Sequence, residues 1–502
     1  MPDHANGRRT RREFLEFVVG GAGLAGLAAC GVGTSKPGLA RPGAAFEQPT
    51  TLRSTNGKLT VRLVAKGRLV RFGSGRRFAY TYNDSTPGPT LRLRPGDVLT
   101  VTLVNQLDHP TNLHTHGLHV SPSGDADNVF VTVAPGASHT YVYEIPADHP
   151  SGLFWYHPHH HGTVAEQIFG GLAGAIVVED ELDELPAMAA SRERVMVIAD
   201  PPVTDDAGGF GASMMERMQG REGDVVTVNG IVAPTLRAGT GTLERWRVLN
   251  ASASRYYRIA LVGHPLHLIA TDGGRLAAPT AVDELLLAPG ERVEVLVVPT
   301  RAGRVALEAR PYDRGSPMMM GGGGVSRHPT TTLATVVVRD GAGQPAGLPR
   351  SLAPARPTVA APGRYRTVTL AMGMGGGGMG SGMGGGMGGM GGGGMSGSGF
   401  TIDGQSFDPA RTDLSARLGT VEEWTVRNTS PMDHPFHLHV WPFRVLDPDG
   451  TVRPGWKDTV NVPANGSVTL RVAFRDIVGR TVYHCHILDH EDLGMMGVID
   501  VS

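Results

Sequence analysis

Near the carboxyl end, Tyr483-His484-Cys485-His486 is followed by His490, Glu491 and Met495, so a thiol, three imidazoles and a thioether fall within a dozen residues. Cys485 is one of two cysteines in 502 residues, which leaves it little prospect of a structural disulfide. A lone Cys beside His is first a candidate nucleophile. With His at +5 and Met at +10, it also matches the trigonal thiolate–imidazole site with a weak axial thioether that holds blue copper. The competing reading is a buried Cys between two surface histidines.

Alternation sharpens the metal reading. Residues 482–487 read as a β-strand, and successive side chains on a strand point to opposite faces. His484 and His486 then face one way and Cys485 the other, so a metal on Cys485 is joined through a few covalent bonds to a second site. Four His-x-His pairs occur in the chain: His114/His116, His157/His159, His437/His439 and His484/His486. On strands, each pair projects both rings to one face, bringing eight imidazoles toward a common space. His434, His490, Cys485 and Met495 form a separate set. One such pair is weak evidence of a metal site, but four together with the Cys–His–Met spacing are specific. Zinc is the natural rival, yet eight paired His exceed one tetrahedral ion's needs, and thioether with thiolate favours copper. His160 and His161 are left as outer or exposed residues, and His119, His139, His264 and His267 are read as structural.

The elements that must position these residues read as short strands. The length suits about three domains, and a formal net charge of −1 points to neither nucleic acid nor an anionic membrane as partner. Runs such as 59–64, 98–104, 244–249 and 292–298, broken by Pro95-Gly96-Asp97 or Ala288-Pro289-Gly290-Glu291, suggest β-sandwiches. The segments 100–105, 244–250 and 423–428 resemble one another and each ends in Asn. The chain therefore reads as all-β, with three copies of one sandwich at 51–182, 183–345 and 400–502. The first and third carry the histidine motifs, and the middle one, which carries none, is scaffold. Thr10-Arg11-Arg12-Glu13-Phe14-Leu15, with the apolar run to Ala29, reads as a twin-arginine export signal over 1–30. Leu27-Ala28-Ala29-Cys30 reads as a lipobox, so an extracytoplasmic protein, periplasmic or at the cell surface, is expected, held to the membrane only through a lipid on Cys30. Residues 31–50 read as a flexible tether and 346–371 as a linker. Met372, Met374, Met379 and Met383 open a Met/Gly-rich insertion at 372–399, either a linker or a Cu(I)-capturing segment, because thioethers are soft ligands.

The stretches Leu113-His114-Thr115-His116-Gly117, Trp155-Tyr156-His157-Pro158-His159, His434-Pro435-Phe436-His437-Leu438-His439 and His484-Cys485-His486 through Met495 resemble the four copper motifs of the three-domain multicopper oxidases. The likeness is greatest to bacterial laccases and copper-efflux (cuprous) oxidases. It implies three tandem cupredoxin-like Greek-key domains and four copper ions. A type 1 copper would take His434, Cys485, His490 and axial Met495, and a type 2 copper His114 and His437. A type 3 pair would take His116, His157, His159, His439, His484 and His486. Electrons from a reductant would pass from Cys485 to His484 and His486, and O2 would be reduced to water. Glu491 and Asp127 (or Asp125) would carry protons. The resemblance implies a monomer whose reductant is a phenol, an aromatic amine or Cu(I), the last linked to copper tolerance. Met432 matches a Cu(I)-holding position, whereas Ser430 stands where an acidic residue is expected. A two-domain nitrite reductase is the rival within the fold, and a copper-buffering or structural lipoprotein without turnover is the rival outside catalysis.

Overall fold

The computed structural model describes residues 43–72, 75–179, 181–204, 210–316, 328–341, 347–352, 359–373 and 399–502. The export signal, Cys30, Met374, Met379 and Met383 lie outside the described residues.

The strands form because apolar and polar residues alternate along them. In Lys58–Phe72, Leu59, Val61, Leu63 and Ala65 are buried while their neighbours face outward, the period of a half-buried strand. Six sheets stack as three sandwiches. A four-stranded and a five-stranded sheet hold the strands between residues 51 and 178; a six- and a five-stranded sheet hold those between 192 and 339; two five-stranded sheets hold those between 364 and 501. This is the three-domain cupredoxin-like architecture.

The resembling segments occupy one structural position. Val98–Gln106, Glu244–Asn250 and Thr420–Asn428 each lie centrally in a sheet. Each has a parallel neighbour, respectively Lys58–Phe72, Arg192–Ala199 and Arg364–Met372. Each has an antiparallel neighbour on the other side, Ser138–Glu144, Arg292–Val297 and Ser467–Phe474. The closing Asn is the same staple three times. The Oδ1 atoms of Asn105, Asn250 and Asn428 accept the backbone N–H two residues on. Their Nδ2 groups donate to loop carbonyls, those of Val133, Leu287 and Val462 among them. A buried amide that satisfies the loop's backbone groups removes the cost of leaving them orphaned. In the third sandwich the stapled loop is the one that leads to His434.

Two expected boundaries change. The stretch read as tether is held to the middle sandwich from Gly43 onward: Ala45 bridges Thr235, Gln48 accepts from Val195 N–H, and Phe46 packs on that sandwich's core. The backbone there has sheet partners, which Gly/Pro/Ala composition does not disclose. The third sandwich begins before 400, because Arg364–Met372, assigned to the linker up to 371, pairs with both Thr420–Asn428 and Phe400–Ile402. Its alternation was masked by the low-complexity run directly after it.

Candidate metal centre

Two strands and a short helix carry the carboxyl-terminal residues to one place. His434–Leu438 lies antiparallel to Gly479–Cys485, with Phe436 opposite Cys485 and His437 opposite His484. The strand ends at Cys485, two residues earlier than expected, and the chain turns through His486 and Ile487 into the short helix Leu488–Asp492. That turn returns His490 to Cys485. His434 Nδ1 lies 3.3 Å from Cys485 Sγ and 3.3 Å from His490 Nδ1, and His490 Nδ1 lies 3.8 Å from the sulfur. All three residues are fully buried, and Met495 is buried in the same cluster. The far ring nitrogens are fixed from outside: His434 Nε2–H donates to Ser430 Oγ at 2.7 Å, and His490 Nε2–H to the Met218 carbonyl at 3.2 Å. These bonds turn both Nδ1 lone pairs inward, as outer partners of metal-ligating histidines do. Ser430, where a carboxylate was expected, therefore orients His434, and its own O–H has Asn428 Oδ1 and Met432 O as acceptors.

The eight paired histidines meet between the first and third sandwiches. His114 stacks on His439 with ring centres 3.9 Å apart, and His116 on His437 at 3.8 Å. Three of the pairs run off a strand end rather than along a strand: Gly152–His157 stops before Pro158-His159, His434–Leu438 before His439, and Gly479–Cys485 before His486. Ligand atoms fall into groups lying within 4.8 Å of one another: His116/His157/His486, His159/His439/His484, and His114/His437 with His116. Sequence alone did not divide the six histidines implied for a type 3 pair. The structure sorts them into two triads, each drawing on both sandwiches.

These residues fit a bound metal. His114 Nε2, His116 Nδ1, His157 Nε2, His437 Nε2, His439 Nδ1 and both nitrogens of His486 are buried with no hydrogen-bond partner among the described residues. His484 Nδ1–H donates to the Cys485 carbonyl, leaving its Nε2 lone pair 3.2 and 3.1 Å from His159 Nε2 and His439 Nε2. So many unsatisfied buried groups, each costing about 1–3 kcal/mol, make sense as a donor set for cations. Burial, then the neighbouring imidazoles, pushes His114, His116, His159, His437, His439 and His486 well below the ordinary histidine range. The rings are neutral and able to bind metal. Burial pushes the Cys485 thiol up, so the free thiol is protonated until a metal takes the sulfur.

Four consecutive residues of the short helix Leu488–Asp492 serve four partners. Asp489 accepts from Arg221 Nε, Nη2 and backbone N–H at 2.6 to 3.0 Å, tying the middle sandwich to the third. His490 joins the Cys485 group. The fully buried Glu491 carboxylate sits 3.0 Å from His484 Nδ1 and 3.5 Å from His159 Nε2. Asp492 accepts from the N–H groups of Gly162, Val164 and Ala165, where the first sandwich's helix Val164–Gly170 starts. On the other side Asp127 bonds His114 Nδ1 at 2.9 Å and Thr115 N–H at 2.8 Å, and burial raises its carboxyl to about 7. Asp125 instead lies at the surface, 3.4 Å from His139.

Of the proposed Cu(I) residues, Met432 and Met372 are described. Met432 is 1% exposed, in the core beneath His434 and bridged to Gly315, so it is not an open capture position; the loop stapled by Asn428 folds it inward. Met372 is partly buried against the same core. Sequence reading missed the helix Met214–Gln219 of the middle sandwich, where Met214 is 59% and Met215 46% exposed while the Met218 carbonyl holds His490. It also missed Asp458, which accepts from His116 Nε2 at 3.0 Å. Neither has a motif: Asp458 lies 342 positions from its partner.

Sequence models described as multicopper oxidase match residues 64–183, 203–341 and 388–502. The chain is 29% identical over 431 residues to multicopper oxidase mco of Staphylococcus haemolyticus, covering 84% of this chain and 83% of that protein. It is 28% identical over 487 residues to cell division protein FtsP of Escherichia coli, covering 93% and 92%. Among solved structures, a multicopper oxidase from Campylobacter jejuni described as a metallo-oxidase superposes with a TM-score of 0.77 at 32% identity, covering 92% of this chain and 95% of that one.

Proposed function

Because this chain belongs to the multicopper oxidase family, we propose that it couples one-electron oxidation of a small reductant to four-electron reduction of O2 to water, using four coppers. The single observation that carries this is the buried chamber of partnerless imidazole nitrogens reached from Cys485 through its two neighbours. In the proposed assignment His434, Cys485, His490 and Met495 hold a type 1 copper and His114 and His437 a type 2 copper. His116/His157/His486 and His159/His439/His484 each hold one type 3 copper. Bound copper supplies the one-electron acceptor beside Cys485 and the site where O2 is reduced.

The residues supply the rest. Cys485 shares a backbone with His484 and His486, so the route from the sulfur to each triad is covalent. Ser430 and the Met218 carbonyl hold two imidazoles in the tautomer that presents Nδ1. Glu491, against His484 and His159, and Asp127, against His114, stand where they can pass protons to the chamber, whose walls exclude bulk water. The rival reading, a copper-holding or structural protein without turnover, draws on the likeness to FtsP; the complete set of ten histidines and Cys485 favours turnover. Export by the twin-arginine route, with a lipid on Cys30, remains part of the proposal through residues 1–30.

For the reductant, phenols and aromatic amines need only approach the covered edge of His490. Cu(I) is favoured by the exposed thioethers of Met214 and Met215 on the helix whose Met218 carbonyl touches that ring. Copper-loaded protein should hold about four ions per chain, absorb near roughly 600 nm as copper thiolates do, and consume O2 with either reductant. Colour without O2 uptake selects the rival. Replacing Met214 and Met215 by Leu should slow turnover on Cu(I) and spare that on a phenol; equal effects on both would remove Cu(I) as the favoured reductant.

A further inference from the structure

The middle sandwich contributes none of the ten histidines, yet one of its turns reaches the chamber. Ala288-Pro289-Gly290-Glu291-Arg292 enters the strand Arg292–Val297 against the site. A Cβ on Gly290 would lie 3.0 Å from the His486 ring. Arg292 is 1% exposed, and its guanidinium donates to both carboxylate oxygens of Asp458, Nη1 to Oδ1 at 2.7 Å and Nη2 to Oδ2 at 2.6 Å. It also donates from Nε to the Leu153 carbonyl of the first sandwich, at 3.0 Å. Asp458 belongs to the third sandwich, so this one side chain joins all three.

Asp458 in turn grips two of the candidate ligands. Its Oδ1 accepts His116 Nε2–H at 3.0 Å, and its backbone carbonyl accepts His437 Nδ1–H at 2.8 Å. With those nitrogens protonated and engaged, the free lone pairs are His116 Nδ1 and His437 Nε2, both partnerless in the chamber, and the two rings stack at 3.8 Å. Gly117, at φ +87°, lets the fork sit there: a Cβ at that position would lie 2.4 Å from Arg292 Nη2 and 2.6 Å from Asp458 Oδ2. The glycine after His-Thr-His thus clears space for a side chain of another sandwich.

Resting on the copper assignment above, we infer that Arg292 and Asp458 are positioning residues of the trinuclear chamber. Through them the sandwich that supplies none of the clustered histidines fixes which nitrogen of His116 faces the metal. A planar bidentate fork holds a carboxylate in one plane, which a lysine point charge does not. Loss of the fork frees the carboxylate to turn and His116 to change tautomer.

The test uses full-length copper-loaded protein, with R292K and the near-isosteric D458N as variants. Removing an outer partner weakens metal binding about 10–100-fold. Dialysis against a chelator should therefore take copper from about four to about three per chain in either variant while the blue absorption of the Cys485 site keeps its full intensity. Electron paramagnetic resonance supplies a second readout. Two coupled cupric ions cancel each other's spin, whereas one left alone is visible, so the detected spins per total copper should rise. Variants with the wild-type copper count and spin fraction would overturn the inference. So would a loss of blue absorption in step with total copper, the result of a general packing role. Wild-type protein that held no copper would instead sink the oxidase reading on which the inference stands.

Discussion

Replacing Ser430 by Ala isolates one hydrogen bond at the Cys485 group. Ser430 Oγ accepts His434 Nε2–H at 2.7 Å in a site 1% exposed, so the alanine leaves that N–H without an acceptor. An orphaned buried donor costs about 1–3 kcal/mol. Independently, loss of an outer partner of a ligating histidine costs about 10–100-fold in metal affinity, or about 1.4–2.8 kcal/mol, and the two figures agree. The metal-free protein has an escape: His434 can move its proton to Nδ1 and donate to Cys485 Sγ, 3.3 Å away. A metal between those atoms forbids this. Ser430→Ala should therefore barely change metal-free stability in a urea titration, yet shift the chelator concentration that bleaches the blue absorption by about 10–100-fold. Copper in the histidine chamber should be retained. An unshifted bleaching midpoint, or a metal-free destabilisation as large as the metal effect, would refute the argument that Ser430 acts by fixing the His434 tautomer.

Acid should unfold the metal-free chain early. Burial depresses nine of the ten clustered histidines, His157 and His434 to about 3. Below about pH 6.5 the unfolded chain takes up protons that the folded chain refuses, so stability falls as pH drops, by about 1.4 kcal/mol per unit for each ring. Circular dichroism should show unfolding within about one unit below 6.5 without metal, and at clearly lower pH with copper bound; coincident midpoints would contradict the buried neutral donor set. Arg221→Met leaves the fully buried Asp489 carboxylate only the backbone N–H at position 221 and Arg217 Nε, 3.9 Å away, and should cost up to about 3–5 kcal/mol in urea unfolding; a loss under about 1 kcal/mol would show that the pair contributes little. Glu491→Gln should slow O2 uptake about 10²–10⁴-fold while keeping the blue colour; unchanged turnover removes Glu491 from proton transfer.

Much of the site was legible because its signals are local. Cys485, His490 and Met495 sit within eleven residues, and the His-x-His pairs show themselves by spacing alone. The segments ending in Asn105, Asn250 and Asn428 could be matched because each repeats one short pattern, and all three hold the same place in their sheets. Strand alternation set Cys485 apart from His484 and His486 although the strand stops at Cys485, because the turn that follows still carries the His486 ring into the chamber. The start of the third sandwich was less visible, since the glycine run after Met372 hides a strand whose partners lie far along the chain, Arg364 opposite Glu422 and Leu370 opposite Asn428.

By itself, the sequence offered the candidate donor residues, their grouping into a thiolate set and an imidazole set, and the repeated sandwich that presents them. Those follow from side-chain chemistry and from strand periodicity, both of which act over a few residues. Only the tertiary structure gathered the histidines into two triads and set Ser430 against His434, Asp458 against His116 and Arg292 against Asp458. Such assignments depend on hydrogen bonds closing across separate sandwiches, as between His116 and Asp458. Their geometry is set by how the three cores pack, and no spacing along the chain encodes it.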